Sequence, residues 1–285
     1  MRPWRAIYLA LVMVTAILPS QFTYAVENPF AIVLVDAKTE RAIGPFPYDR
    51  AVYAKAIDRT AACVVKGVVI KFFLDLPKSE AGDRALAASL SKTKVILQAR
   101  IDDSESHPNM LPDRFILHGE THIENCISGR SGWVPLPEFA NAAADIGFVD
   151  ARSADHMPLI ERYQGQAVKS LALCCLELAV GESSRVEPAV QIKLAGKRLA
   201  LDPASQVAVT YPKSDTLDFL SLSDLLSGEI PAESIKQKVI LIGYDGGGSG
   251  STPIQTPLGP LKPHRAFCYG LFSVYGQLEG ALLHE

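Results

Sequence analysis

Charged and polar residues follow the apolar runs of this sequence, and their positions could support the binding of a small ligand. In an open α/β sheet, ligands bind at the carboxyl ends of the strands. Lys71 lies inside one of the runs, where an ammonium is costly to bury unless a neighbouring carboxylate pairs with it. The alternative is that these residues are ordinary strand-end caps with a structural salt bridge. The candidate ligand-binding residues are Asp36, Lys71, Asp75, Arg100, Tyr244 and Asp245.

A second group alternates histidine with glutamate, a pattern that could hold a metal ion. His118, Glu120 and His122 are two positions apart, so on a strand their side chains would share one face. Imidazole and carboxylate ligands suit zinc or copper, and a metal-dependent hydrolase of the periplasm is one function that such a site would support. The alternative is a solvated strand face without a metal.

The sequence contains no recognisable catalytic set and no cofactor motif. A phosphate-binding loop needs a helix directly behind its glycines, whereas prolines follow the glycine-rich loop 246–250. Ser249 and Ser251 lie in this loop without the GxSxG elbow of serine hydrolases. We therefore predict a protein that is not an enzyme and that needs no cofactor.

The elements that must position these residues alternate between strand and helix. Apolar, β-branched runs are typical of strands buried on both faces, and segments with helical spacing separate the first three of them. This alternation predicts an α/β fold, a mostly parallel central sheet flanked by helices, with inserted antiparallel hairpins. Strands are predicted at 31–35, 68–73, 94–99, 115–123, 157–163, 191–194, 198–201, 207–211 and 238–242. Helices are predicted at 50–62, 83–90, 170–180 and 265–278, with a short helix ending near residue 144 and a helical turn at 223–228.

Composition and charge limit the range of functions. The chain has 285 residues, of which 48% are hydrophobic and 21% are charged, and such a composition can bury a core. Lys and Arg number 28 against 31 for Asp and Glu, and no basic cluster favours nucleic acid as a partner. The five cysteines match neither a zinc knuckle nor a CxxC redox pair, so we interpret them as small buried apolar residues.

The start of the chain has the pattern of a secretion signal. Arg2 and Arg5 precede an uncharged apolar run at 6–18, and small residues precede a cleavage position after Ala25. The run is shorter than the ~20 residues that a bilayer span needs. We expect residues 1–25 to be a signal peptide and residues 26–285 to form one domain in the periplasm or outside the cell. An uncleaved signal would instead anchor the chain in the inner membrane.

Four blocks of the sequence follow one another in a characteristic order. They are IVLVDAKTERAIGPFPYDRAVYAKAID (32–58), GVVIKFFLDLP with DRALAASL (67–90), PLPEFANAAADIGFVDA with MPLIERYQGQAVKSLALCCLELAVG (135–181), and LSDLLSGEIPAESIKQKVILIGYD with TPLGP (222–260). Together they resemble the type-two CHASE family, extracytoplasmic sensor domains of bacterial receptors, over nearly all of the chain after the signal. Two positions depart from that family: Phe73 stands where an Asp is frequent, and Phe267 where a His is frequent.

The resemblance implies a sensor. Members of the family usually lie outside the membrane, ahead of transmembrane helices that connect to kinases or nucleotide cyclases. No output module follows in this sequence, so we expect a stand-alone sensor or ligand-binding domain that perceives a small ligand or docks on a membrane receptor. The alternatives are the metal-dependent hydrolase and a structural protein of the envelope. Nucleic acid is not expected as a partner, and the membrane is expected only if the signal stays uncleaved.

Overall fold

The computed structural model describes residues 28–117, 125–187, 191–247 and 252–280, and strands and helices alternate along them. The strands are β1 Phe30–Val35, β2 Gly67–Ile70, β3 Val95–Ile101, β4 Ser128–Gly129, β5 Gly132–Trp133, β6 Asp145–Phe148, β7 His156–Pro158, β8 Ile160–Tyr163, β9 Gln166–Lys169, β10 Arg185–Glu187, β11 Gln191–Leu194, β12 Lys197–Ala200, β13 Gln206–Ala208, β14 Phe219–Ser221, β15 Val239–Tyr244, β16 Ile254–Thr256 and β17 Gly259–Leu261. The helices are α1 Ala37–Ile43, α2 Arg50–Ala61, α3 Glu80–Leu90, α4 Pro137–Ala142, α5 Leu171–Val180, α6 Leu222–Ser227, α7 Ala232–Ile235 and α8 Pro263–Glu279.

A mostly parallel sheet forms the centre of the described structure. Its strands lie in the order β14-β1-β15-β2-β3, and both β5 and β6 pair with β3. Every pairing is parallel except that of β5 with β3. Antiparallel hairpins such as β8–β9 and β11–β12 are added outside this sheet. The prediction of an α/β fold with inserted hairpins is therefore confirmed.

Helices cover both faces of the sheet. Along β1 the side chains alternate, so that Val33 packs on the side of α2, α3, α4 and α6, and Ile32 on the side of α5 and α8. Both side chains are buried. A strand that is buried on both faces needs a continuous apolar run, and this requirement explains the sequence of β1.

Sequence signals fix the ends of α5 and α8. Ser170 precedes α5, and its Oγ accepts a hydrogen bond of 3.1 Å from Leu173 N. Gly181 ends the same helix with φ 81°, a left-handed conformation that glycine adopts without strain. Pro263 occupies the first position of α8, where its missing N–H costs nothing. These two helices form one wall of the cavity described below.

The carboxyl edge of the sheet differs from the prediction in two places. β2 ends at Ile70, so Lys71 lies just after the strand, although its backbone N–H still donates to Ile242 O at 2.9 Å. Helix α1 follows β1 directly and was not predicted. Its sequence AKTERAI buries only Thr39, so it lacks the apolar stripe that indicates a helix.

Other predicted elements differ in length or division. The predicted strand 157–163 is divided at Leu159 into β7 and β8. The described part of the predicted strand 115–123 contains the end of a 3-10 helix and a single bridge at Ile116, and residues 118–123 lie outside the described residues. α8 begins two residues before the predicted start because proline is tolerated there. The expected signal peptide also lies outside the described residues.

Candidate functional site

A cavity of about 100 Å³ lies at the carboxyl edge of the sheet, on the side of α5 and α8. Its walls come from the segments that follow β2 and β6, from β7, from the start of α5 and from the first half of α8. This is the edge at which open α/β sheets bind ligands. The lining residues that matter most are Lys71, Phe148, Asp150, Ala172, Ala266, Phe267 and Gly270.

Two glycines let the walls of the cavity approach each other. A Cβ on Gly147 would meet the backbone of Leu171, so β6 packs directly on the start of α5. A Cβ on Gly270 would meet Met157 Cε, so α8 lies close to β7. The shape of the cavity therefore depends on small residues in β6 and α8.

Lys71 supplies a buried ammonium to this cavity. The residue is 6% exposed, and its Nζ lies 4.7 Å from the centre of the Phe267 ring, a cation–π contact. Within the described part of the chain, no ion pair or side-chain hydrogen bond reaches its Nζ. Burial lowers the pKa of Lys71 to about 8, because desolvation disfavours the charged form. At pH 7 the side chain is still mainly a cation.

The titratable groups around Lys71 are neutral at pH 7. His264 Nδ1 accepts a hydrogen bond of 2.8 Å from Tyr244 N, and burial and then the charge of Lys71 lower the pKa of His264 well below its ordinary value. Burial raises the pKa of the Cys175 and Cys268 thiols. None of these groups offers a negative charge. Among the described residues, the expectation that Lys71 pairs with a carboxylate of this edge is therefore wrong.

Asp36 caps α1 and does not line the cavity. Its Oδ1 accepts hydrogen bonds from Thr39 N, Thr39 Oγ1 and Ser221 Oγ, each of 2.8 Å. Burial raises the pKa of Asp36, but these hydrogen bonds to the charged form outweigh it, and the pKa lies below its ordinary value. Groups of the protein thus supply the hydrogen bonds of this carboxylate. This is the result expected if Asp36 is an ordinary strand-end cap.

Tyr244 and Asp245 are also engaged by protein groups. The Tyr244 hydroxyl donates to Glu40 Oε1 at 2.9 Å. Asp245 Oδ2 accepts from Arg265 Nε at 2.8 Å, and its Oδ1 lies 3.5 Å from Lys262 Nζ. These pairs join the end of β15 to α1 and to the start of α8.

Asp75 and Arg100 contact residues outside the cavity. The backbone carbonyl of Asp75 accepts a hydrogen bond of 2.8 Å from the Asn109 side chain. The Arg100 guanidinium lies 4.7 Å from the centre of the Trp133 ring and 3.8 Å from a carboxylate oxygen of Asp102. Of the six residues predicted to bind a ligand, only Lys71 lines the cavity in the described structure.

Two acids near the cavity, one partly buried and one fully buried, were not among the predicted residues. Asp150 follows β6 and lines the cavity, and its Oδ2 accepts a hydrogen bond of 2.7 Å from Ile101 N. Glu161 in β8 is fully buried, and neither carboxyl oxygen has a hydrogen-bond partner among the described residues. Burial, and then its neighbour Asp150, raise the pKa of Glu161 well above its ordinary value. The apolar run 146–149 followed by an aspartate is the signal that could have identified Asp150.

The predicted metal ligands His118, Glu120 and His122 lie outside the described residues. Over the described ranges, no group of three or more His, Cys, Asp or Glu side chains could hold a metal ion. No disulfide joins the five cysteines, all of which lie in the described ranges, and Cys126, Cys174, Cys175 and Cys268 are buried, which agrees with their interpretation as small apolar residues. In the part of the chain that the structure describes, no helix has the length and apolar character to span a bilayer.

Comparison with known proteins gave one match. A family model described as CHASE2 domain matches residues 8–282, nearly the whole chain. No curated protein and no solved structure matches the sequence.

Proposed function

Because the chain belongs to the CHASE2 domain family, a family of extracytoplasmic sensor domains, we propose that it senses a small ligand in the cavity that Lys71 lines. The observation that supports this choice of site is the buried ammonium, which reaches an apolar cavity without a described protein partner. A perturbed cation in a cleft is a frequent sign of a functional site.

The cost of burying this charge favours a functional reason for it. An unpaired buried ion loses its hydration and gains no compensating attraction. Replacing a buried charge by an apolar side chain of similar volume is often neutral or stabilising. A lysine at this position therefore lowers the stability of the free protein, and a ligand that pairs with it would recover the loss.

A ligand in this cavity would contact both the sheet and α8. The cavity lies between the ends of β2 and β6 on one side and Ala266, Phe267 and Gly270 of α8 on the other. A ligand that binds one arrangement of α8 more tightly than another shifts the population toward it. We propose that this change in α8 is the signal that a membrane receptor reads.

The place of action follows from the N-terminal pattern. We propose that residues 1–25 direct the chain to the periplasm or beyond and are removed after Ala25. Expression in a Gram-negative host followed by cell fractionation tests this point. A mature protein that starts at Val26 in the periplasmic fraction is the expected result, and an intact N-terminus in the membrane fraction would indicate an anchor instead.

A thermal-shift screen against small metabolites, nucleotides and divalent metals tests the ligand site. A ligand at 100 times its dissociation constant raises the free energy of unfolding by about 2.7 kcal/mol, so a true ligand gives a clear increase in Tm. Ala266→Leu should abolish the shift by filling the cavity. Ala54→Leu is the matched control, because Ala54 is a similarly buried helical alanine on the opposite face.

Three outcomes of the screen have different meanings. A shift that is lost in Ala266→Leu and retained in Ala54→Leu supports the proposed cavity. A shift by zinc or copper alone would favour the histidine-rich segment and the metal-dependent alternative. If no small molecule shifts the Tm, the protein is not a small-ligand sensor, and docking on a protein partner becomes the better hypothesis.

A further inference from the structure

We infer that the ligand of this cavity is a small organic monoanion, a carboxylate with a short apolar body, whose charged group pairs with the ammonium of Lys71. This inference rests on the proposed function and specifies the chemistry of the ligand. It follows from three properties of the cavity: the buried ammonium in its lining, the size and character of its walls, and the acid that also lines it.

The charge of the cavity selects an anion. Lys71 is buried, and the groups that face it are the Phe267 ring, the His264 imidazole and the thiols of Cys175 and Cys268. All of them are neutral at pH 7, so the ammonium has no counter-charge among the described residues. Next to Lys71 a cationic group of a ligand would be repelled, and a neutral group would bury the ammonium further without pairing it.

The walls of the cavity select a short apolar body. Phe148, Ala172, Ala266, Phe267 and Gly270 contribute carbon atoms, and most of the exposed lining surface is apolar. An apolar protein cavity of about 150 Å³ holds a benzene molecule. A cavity of about 100 Å³ is therefore suited to a body of about three to five carbon atoms.

Asp150 limits the charge of the ligand. Asp150 lines the same cavity and its carboxyl group is partly buried, so a second negative group on the ligand would lie near a like charge in a poorly hydrated place. The other titratable lining residues among those described are the exposed His156 and the partly buried Tyr211, neither of which carries a negative charge at pH 7. A monocarboxylate is consequently favoured over a dicarboxylate or a phosphate.

Butyrate, butyramide and succinate test the inference, with binding to the purified protein measured by calorimetry. Butyramide has nearly the shape of butyrate and no charge, and succinate has the same carbon number and a second carboxylate. We expect butyrate to bind at least about tenfold more tightly than either, as a charge-assisted hydrogen bond would give. Lys71→Met should weaken butyrate binding by at least about tenfold. Lys92→Met should leave it unchanged, because Lys92 pairs with Asp58 on the exposed side of the molecule.

The controls separate this inference from the proposed function. If butyrate and butyramide bind equally, or if Lys71→Met binds butyrate as well as the native protein, while Ala266→Leu still blocks binding, the cavity is the sensing site but its ligand is not an anion. Tighter binding of succinate would overturn the preference for a monoanion. If the screen finds a ligand that Ala266→Leu blocks, and no monocarboxylate of three to five carbons binds, the inference fails and the sensor remains. Circular dichroism checks that each variant is folded.

Discussion

The two edges of the central sheet each hold a lysine that is withdrawn from solvent, Lys71 buried and Lys169 partly buried, and the two lysines have opposite surroundings. At the amino edge, Lys169 bonds Asp145 at the start of β6, and its Nζ lies 2.9 Å from a carboxylate oxygen of Glu177 in α5. At the carboxyl edge, Lys71 meets the Phe267 ring and no described carboxylate. The carboxylates of the protein neutralise Lys169, whereas the ammonium of Lys71 can pair with a negative group of a ligand.

The pKa values follow this difference. Burial lowers the pKa of Lys169, but the Cys174 sulfur and the two carboxylates raise it above its ordinary value. Burial lowers the pKa of Lys71 to about 8, and no carboxylate opposes that change. The same residue type thus has a structural role at one edge and a candidate ligand-binding role at the other. Burial alone does not distinguish the two roles, whereas the presence of a partner does.

Lys169→Met should give the largest loss of stability. The change leaves the partly buried Asp145 and Glu177 next to each other without a cation, and breaking such a pair should cost about 3 kcal/mol, the lower end of the range for buried pairs. Urea denaturation at pH 7 measures the loss. Combining Lys169→Met with Asp145→Asn and Glu177→Gln should recover part of it. A loss below about 1 kcal/mol would mean that the three groups interact as a surface pair does.

Lys71→Met should have the opposite sign. A pKa of about 8 against an ordinary 10.5 corresponds to about 3 kcal/mol of unfavourable burial of the ammonium. Methionine has a similar length and no charge, so we expect the free energy of unfolding at pH 7 to rise by up to about 3 kcal/mol. Urea denaturation with and without butyrate checks both stability and binding. A variant that is less stable than the native protein would show that Lys71 has a stabilising partner.

The pH dependence of stability gives an independent test of Lys71. Between pH 8 and 10.5 the Lys71 side chain keeps its proton in the unfolded chain and has lost it in the folded protein, so the contribution of Lys71 to stability rises with pH over this range, by up to about 3 kcal/mol in total. Lys71→Met should lack this rise. Buried thiols such as Cys175 and Cys268, whose pKa is raised by burial, lower the stability of both proteins as the pH rises above about 9, so the difference between native protein and variant isolates Lys71. Equal slopes for the two proteins would show that Lys71 titrates normally.

The parts of the fold that rest on continuous apolar runs could be predicted from the sequence. β1, β3 and β15 are buried on both faces, and their composition alone indicates parallel strands. β6 was not predicted, because its four residues include Gly147 and directly follow a short helix. α1 was missed because it is mostly exposed.

The candidate site could be predicted only in part, because it depends on distant residues. The strand-end rule located the edge and included Lys71. It could not show that Asp36 is satisfied by Ser221, or that α8 covers Lys71 with Phe267 and places no carboxylate beside it. These contacts join opposite ends of the chain, and no local spacing encodes them.

Glu161→Gln should change the free energy of unfolding less than Lys71→Met does. The contribution of Glu161 to stability should fall as the pH rises, whereas the contribution of Lys71 should rise. The pKa of Glu161 is raised in the folded protein, so its favourable contribution exists at low pH and is lost as the pH rises above about 4.3 through the raised pKa. Near pH 4 the variant and the native protein should have similar stability. At pH 8 the variant should be more stable by about 2 kcal/mol, the cost of an unsatisfied buried group. A difference that is constant with pH would mean that Glu161 does not titrate in this range.

Asp36→Ala should give the smallest effect and tests whether the carboxyl edge contains one ligand site or several. Removal of the cap of α1 should cost about 1 kcal/mol, and Asp36→Asn should cost less because an amide oxygen can still accept from Thr39 N. Because the pKa of Asp36 is lowered, its contribution exists above about pH 4 and is lost as the pH falls through the folded-state value. Butyrate binding should be unchanged in both variants, since Asp36 does not line the cavity. A loss of butyrate binding in Asp36→Ala that exceeds what its lower stability explains would show that the ligand site extends along the sheet edge to β1. Lys71 would then not be the only predicted strand-end residue among those described that binds the ligand.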